Sequence, residues 1–275
     1  MAEPVVSGKD VVHRRELEPG IHLLELDRPE RLNAISTDLL EGLHSELALL
    51  AEDTSCRVVI LTGRGRGFCA GLDLQERHGD PGKSHERSAQ ERMRVQKRIV
   101  ALVTGMRALP QPFIAAVNGP AAGGGLALAL ASDVRIAGAS AMFGDAFVRI
   151  GLSGCDIGVS WLLPRLIGAS RAFELLLTGR VVDAAEADRI GLVSRVVPDD
   201  ELLETALGVA REITGNSPFG VRMTKDVMWS QLETGSMAAG IAIENSTQIA
   251  TTFSGDQKEA VAAFLEKRPP RFTDR

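Results

Sequence analysis

The residues of this chain best suited to chemistry sit in two glycine-rich turns. One follows the apolar run Phe113 to Val117: Asn118-Gly119-Pro120 leads to Gly123-Gly124-Gly125, and the apolar stretch Leu126 to Ala131 comes next. A buried strand that turns sharply into a buried helix points N–H groups without intrahelical partners outward, at the positive end of the helix dipole, where a negative oxygen can accept from them. Glycine keeps that approach open, because a side chain would block it. The other turn runs from Gly63 to Leu74, behind the apolar run Val58 to Leu61, and carries Gly63, Gly65, Gly67 and Gly71 together with Cys69 and Asp73. The same order of strand and glycine turn occurs twice, and two such turns can converge on one site.

The titratable residues near these turns have competing uses. Asp156, in GLSGCDIGVSWLLPRL, suits a general base, and equally an N-cap for a helix starting at Gly158. Asp73 lies in a glycine turn, where aspartate holds loops by accepting from backbone N–H groups. Asp145 and Arg149 flank Phe147 as a candidate ion pair. Glu76, His78 and His85 fall in Gln75 to Arg94, a polar stretch almost without apolar periodicity; it reads as a loop able to cover a ligand, leading into a helix that ends before Pro110. Phe147 and Trp161 could wall an apolar pocket or pack in the core. No HExxH, GxSxG or Walker pattern occurs, and no metal or cofactor is expected.

These residues need a scaffold, and the periodicity supplies one. Apolar residues on either side of Pro19-Gly20 predict a β-hairpin. Ser36 or Asp38 can cap a helix in which Leu39, Leu40, Leu43, Leu47 and Leu50 share one face. Val58 to Leu61 and Phe113 to Val117 are continuous apolar runs, as in strands buried on both sides. Val134 to Ala137 and Val193 to Val197 are further strands, Phe143 to Asp156 reads as irregular, and helices are expected over Gly158–Leu166, Arg171–Leu177, Ala184–Arg189 and Glu201–Thr214. Beyond Asn216 only helical signals remain. The fold class is therefore α/β, with a core over 1–215 and a helical region over 216–275. A tail of about 60 residues is marginal alone and needs a partner surface.

Composition narrows the class. The 275 residues, 24% charged and 44% apolar, are those of an ordinary soluble globular chain with room for one large domain. A net charge of -5 argues against nucleic acid as a partner. Cys56, Cys69 and Cys155 form no disulfide framework and fit a reducing compartment. The opening MAEPVVSGKD lacks the basic end and apolar run of a secretory signal, so a cytoplasmic location is expected. Phe113 to Ala131 is uncharged and nearly long enough to span a bilayer, but Asn118, Pro120 and the glycines break it, so no membrane span is expected.

Several segments together resemble the enoyl-CoA hydratase/isomerase (crotonase) superfamily: RPERLNAIS, FCAGLDL at Phe68 to Leu74, NGPAAGGGLALALASDVRIA at Asn118 to Ala137, the Phe143-Gly144 step, LLLTGR at Leu175 to Arg180 and DQKEAVAAFLEKRPP near the end. They span nearly the whole chain in order. The resemblance implies a superhelix of ββα repeats with a helical C-terminal trimerisation region, a homotrimer or dimer of trimers, and an acyl-coenzyme A thioester as substrate. It implies that the thioester oxygen is held by the backbone N–H groups of Leu72 and Gly124. It also implies coenzyme A and substrate contacts at Arg28, Arg31, Ala34, Ala70, Asp73, Leu74, Gly123 and Phe147, with Phe264 and Lys267 reaching the adenine of a neighbouring copy.

The chain departs from the hydratase pattern at two positions. Where hydratases of this superfamily carry a pair of glutamates, it has Ala127 and Phe147. Neither can move a proton, so the usual carboxylate pair for adding water is missing. Asp156 resembles the catalytic aspartate of relatives with other reactions, among them dienoyl-CoA isomerases, 3-hydroxyisobutyryl-CoA hydrolases and 4-chlorobenzoyl-CoA dehalogenases. The expectation is enoyl- or dienoyl-CoA isomerisation, or hydration with a non-standard acid/base. A catalytically silent acyl-CoA binder is the alternative, and hydrolysis or dehalogenation ranks below both.

Overall fold

The computed structural model describes residues 11–78 and 88–274. Its first elements are the expected hairpin, β1 (Val12–Glu18) and β2 (Ile21–Leu26), turning at Gly20. Helix α1 (Thr37–Glu52) starts at Ser36, whose hydroxyl accepts from the Leu39 N–H at 3.1 Å, and it buries Leu39, Leu40, Leu43, Leu47 and Leu50. Next come β3 (Val58–Gly63), α2 (Leu74–His78) and α3 (Ala89–Ala108). The central stretch holds β4 (Phe113–Val117), β5 (Pro120–Ala122), α4 (Gly124–Ala131), β6 (Val134–Gly138) and β7 (Met142–Gly144). Then follow α5 (Val159–Ile167), α6 (Ala169–Thr178), β8 (Val181–Asp183), α7 (Ala184–Arg189), β9 (Arg195–Val197) and α8 (Leu202–Thr214). Helices α9 (Pro218–Gln231), α10 (Met237–Thr252) and α11 (Gly255–Glu266) complete the chain.

The main sheet has the order β1-β2-β3-β4-β6-β9 and is parallel except at β1. Side chains alternate across it: Val59 and Leu61 pack toward α1, α3 and α4, while Val58 and Ile60 face Leu202, Ala206 and Ala210 of α8. Both faces are covered, which is why these strands read as unbroken apolar runs. Leu61 of β3 lies beside Ala115 of β4 in parallel register. The two glycine turns therefore leave the carboxyl ends of neighbouring strands, the side on which ligands bind in open parallel sheets.

Two readings of the sequence need correction. The polar stretch after Leu74 opens as helix, because the Asp73 carboxylate accepts from the N–H groups of Gln75 and Glu76, each at 3.2 Å; α3 then begins at Ala89, fixed by a reciprocal Ser88/Glu91 cap. His85 and the side chain of His78 lie outside the described residues. The segment after Ala137 is also more regular than expected, since Phe143-Gly144 belongs to β7 in a small sheet ordered β5-β7-β8.

Helix α9 docks directly on the core. The buried Lys225 ammonium donates to the carbonyls of Met106 (3.0 Å) and Gln111 (2.8 Å) and pairs with Asp133 at 3.1 Å, and the Trp229 indole donates to Asp133 at 2.7 Å. Arg107 lies over the rings of both Trp161 and Trp229, and Arg165 over Trp161. Helices α10 and α11, by contrast, leave Met237, Phe253, Phe264 and Leu265 largely exposed. Among the described residues no helix is long and apolar enough to cross a membrane.

Candidate active site

The two glycine turns are joined by backbone hydrogen bonds. Cys69 donates to the Pro120 carbonyl at 3.0 Å, and Ala122 donates to the Cys69 carbonyl at 2.9 Å. On the other side, Ile35 donates to Gly71 at 2.7 Å and Asp73 donates to Ile35 at 3.0 Å. This pattern turns the intervening Leu72 N–H away from Ile35. Gly71, at φ +89°, lies so close to the second turn that a Cβ there would stand 2.7 Å from the Ala122 oxygen and 3.3 Å from the Gly124 nitrogen. The Leu72 and Gly124 amides thus flank one close contact, and neither N–H donates to any group among the described residues. Asn118 braces the approach by donating to the Gly63 (2.7 Å) and Gly65 (2.8 Å) carbonyls.

The walls around Gly124 are apolar. A Cβ on it would meet Ile35 Cδ1 at 3.0 Å and Ile157 Cδ1 at 3.8 Å, and one on Gly123 would meet the Phe147 ring at 3.2 Å. Ala127 is fully buried within α4. Cys69, also fully buried, is no nucleophile: burial pushes its thiol up to about 12. Trp161 belongs to the joint with α9, so of the two aromatic residues singled out in the sequence Phe147 is the one at the glycine turns.

Asp156 is not the cap of α5. The N-cap is Gly158, without a side-chain hydrogen bond, and the Asp156 carboxylate instead accepts from the Ile157 N–H at 2.7 Å and from the Gln96 side-chain amide of α3. Both donors reach the same oxygen, Oδ1. Asp156 is half-buried, and the next residue, Ile157, is the one packed against Gly124. Gln96 escaped the sequence reading because a glutamine on the polar half of a helix carries no periodic signal.

Asp145 and Arg149 do not pair. Asp145 points inward and is 2% exposed; its Oδ1 accepts from the Phe147 N–H at 3.2 Å, while its buried Oδ2 has no partner among the described residues. Arg149 stays at the surface of a short 3₁₀ turn. Burial pushes the Asp145 carboxyl up to about 6, with the Asp156 charge adding to the rise. The folded state therefore holds this proton more tightly than the unfolded chain, and the stability it contributes at acid pH is lost as pH climbs from about 4 through about 6. Asp145→Asn, which keeps an acceptor for Phe147, is expected to be more stable than the parent by about 3 kcal/mol above that range and no more stable at pH 4. Denaturant unfolding of both proteins at pH 4, 5, 6 and 7.5 checks this; parallel profiles would contradict it.

Near the entrance, Asp73 is held by several groups at once. Burial opposes its charge, but the Glu76 N–H and the guanidinium groups of Arg28 and Arg31 outweigh that and keep its carboxyl below the usual range. Arg28 is committed inward, donating to the Ala34 carbonyl at 2.6 Å and to Asp73 at 3.1 Å. Arg31 is more exposed and also donates to Gln75. Glu76 accepts from both the backbone and the hydroxyl of Thr37. Ala70 and Leu74 lie along the same turn, whereas Phe264 is 82% exposed on α11 and Lys267 ends that helix in the left-handed region.

A cleft of about 280 Å³ opens beside Leu72, between α1 and α3, with Ile35, Leu40, Val95 and Ile99 among its walls. A larger cavity of about 750 Å³ lies under α9, beside Lys225, Met228 and Trp229. The Lys225 ammonium there already has three acceptors. The Leu72 turn opens on the smaller cleft, and helix α3, which lines that cleft with Val95 and Ile99, also carries Gln96, the donor to the half-buried Asp156 carboxylate. Such a set can hold one anionic oxygen and move one proton. Among the described residues no group of three His, Cys, Asp or Glu side chains is placed to hold a metal ion.

Comparison with known proteins fixes the family. The model of the enoyl-CoA hydratase/isomerase family matches residues 16–275. This chain belongs to that family. It is 44% identical over 257 residues to the Mycobacterium bovis protein named "Probable enoyl-CoA hydratase echA12", covering 93% of this chain and 90% of that one. It is 40% identical over 258 residues to the 1,2-epoxyphenylacetyl-CoA isomerase of Escherichia coli, covering 94% and 96% respectively. Among solved structures, a monofunctional enoyl CoA isomerase from M. smegmatis superposes with a TM-score of 0.72 at 45% identity, over 85% of this chain and 99% of that one. The mixed α/β fold of this family member is thus that of its relatives.

Proposed function

We propose that the chain isomerises the double bond of an enoyl- or dienoyl-coenzyme A thioester. The thioester oxygen accepts from the Leu72 and Gly124 N–H groups. Asp156 removes a proton from the acyl chain as the C–H electron pair moves into the enolate, and returns the same proton to a different carbon. Atoms balance without water or a second acid. The observation that carries this reading is the pairing of one half-buried carboxylate with Ala127 and Phe147, both buried and unable to move protons. The name of the M. smegmatis relative, an enoyl CoA isomerase, supports it, and that of the E. coli relative supports an isomerase acting on a coenzyme A thioester. A donor aimed at a developing enolate is worth about 3 kcal/mol of barrier.

Coenzyme A lies along Ala34, Ala70, Leu74 and Gly123 in this reading, with Arg31 the freer of the two guanidinium groups for phosphate. Phe264 and Lys267 serve the nucleotide of a neighbouring copy in a homotrimer or dimer of trimers, which also covers the exposed apolar side chains of α10 and α11. The ββα superhelix belongs to the same proposal. Incubating the protein with enoyl and dienoyl thioesters in heavy water tests it: isomerised product is expected, at rates well above hydration. Hydroxyacyl product as the main outcome would make the enzyme a hydratase with Asp156 as its acid/base. Tight binding without turnover across the panel would make it a silent acyl-CoA binder.

A further inference from the structure

We propose that Gln96 is the positioning residue of the catalytic carboxylate, engaging Asp156 Oδ1 and leaving Oδ2 as the oxygen that carries the proton; this rests on the reading of Asp156 above. Two separate features lead to it. Among the described residues, both hydrogen bonds to the Asp156 side chain, from the Gln96 amide and the Ile157 N–H, end on Oδ1. A carboxylate held through one oxygen presents the other in a fixed direction, and an error of about 1 Å in such a group costs on the order of a hundredfold in rate.

The second feature is strain. Ile157 is β-branched, buried and at φ +50°, in the left-handed region that such residues avoid. Backbone outliers of this kind persist where the surroundings over-determine them, and they cluster at working sites. Here the strained residue aims its N–H at Asp156 Oδ1 while its side chain packs toward Gly124. One peptide therefore sets the carboxylate relative to the amide that would face the thioester oxygen. Gln96 approaches Oδ1 from a different element, α3, whose Val95 and Ile99 line the cleft beside Leu72. A ligand that fills the cleft presses on the helix that steadies the base.

A double-mutant cycle on the full chain tests this, with isomerisation of the preferred thioester as the readout. Gln96→Leu is expected to lower kcat by about 10- to 100-fold with KM changed less than about twofold. In an Asp156→Asn background the same substitution is expected to change kcat less than about threefold, because the two residues act as a unit. Gln96→Glu, which keeps the length and helix propensity but cannot donate when ionised, is expected to lose kcat with its melting temperature near that of the parent. Equal losses from Gln96→Leu in both backgrounds, or parental kcat in Gln96→Glu, would overturn the proposal while Asp156→Asn remained impaired. Normal turnover in Asp156→Asn alone would remove the base itself, and this inference with it.

Discussion

Asp156→Asn is expected to lower kcat for the preferred thioester by about a thousandfold, within the range that a positioned general base contributes. The substitution is unusually clean here. An asparagine oxygen can still accept from Gln96 and from the Ile157 N–H, so the loop keeps its anchors, yet a neutral amide cannot take up a proton at the reacting carbon. KM and the melting temperature should stay close to parental values, which places the loss, about 4 kcal/mol, in the chemical step. Steady-state kinetics with thermal unfolding distinguishes this from a structural role. Turnover within tenfold of the parent would take Asp156 out of the mechanism.

Gly125→Ala is expected to damage fold and activity together. A Cβ on Gly125 would lie 1.9 Å from the Cys69 carbonyl oxygen and 2.7 Å from its carbon. Both are backbone atoms, so no rotamer change relieves the clash. Helix α4 and the Cys69 turn must separate, and the hydrogen bonds that join the turns, Cys69 to Pro120 and Ala122 to Cys69, must stretch or break. Overpacking of this severity costs at least about 3 kcal/mol. Because the Gly124 amide moves with the helix, any protein that still folds should also lose kcat. Gly208→Ala in α8 is the control: nothing lies within 4 Å of a Cβ there, and a helical glycine replaced by alanine should gain about 0.5–1 kcal/mol. Chemical denaturation of the two variants reads both effects; similar stabilities would refute the argument.

The parts of the fold that follow from period and punctuation were legible in the sequence. The buried runs at Val58 and Phe113 are strands because both sheet faces are covered, and the leucine stripe of α1 is a helix face with Ser36 at its start. The meeting of the two glycine turns was legible because each follows such a strand, and β3 and β4 are neighbours. What resisted reading depends on single side chains acting over distance. Asp73 makes a helix of α2 by capping it, Gln96 reaches Asp156 across sixty positions, and Asp145 turns inward away from Arg149. The left-handed Ile157 resisted for a further reason: local preference argues against it, and tertiary packing prevails.

The joint between α9 and the core has a practical consequence. The chain contains two tryptophans and no tyrosine, and both indoles meet there over Arg107. Intrinsic fluorescence therefore watches a single seam of the molecule, whereas far-ultraviolet dichroism averages over every helix. Emission that shifts ahead of the dichroism during heating would mean that the C-terminal helices peel away before the sheet melts, and coincident curves would mean that 216–275 and the rest of the chain melt as one cooperative body.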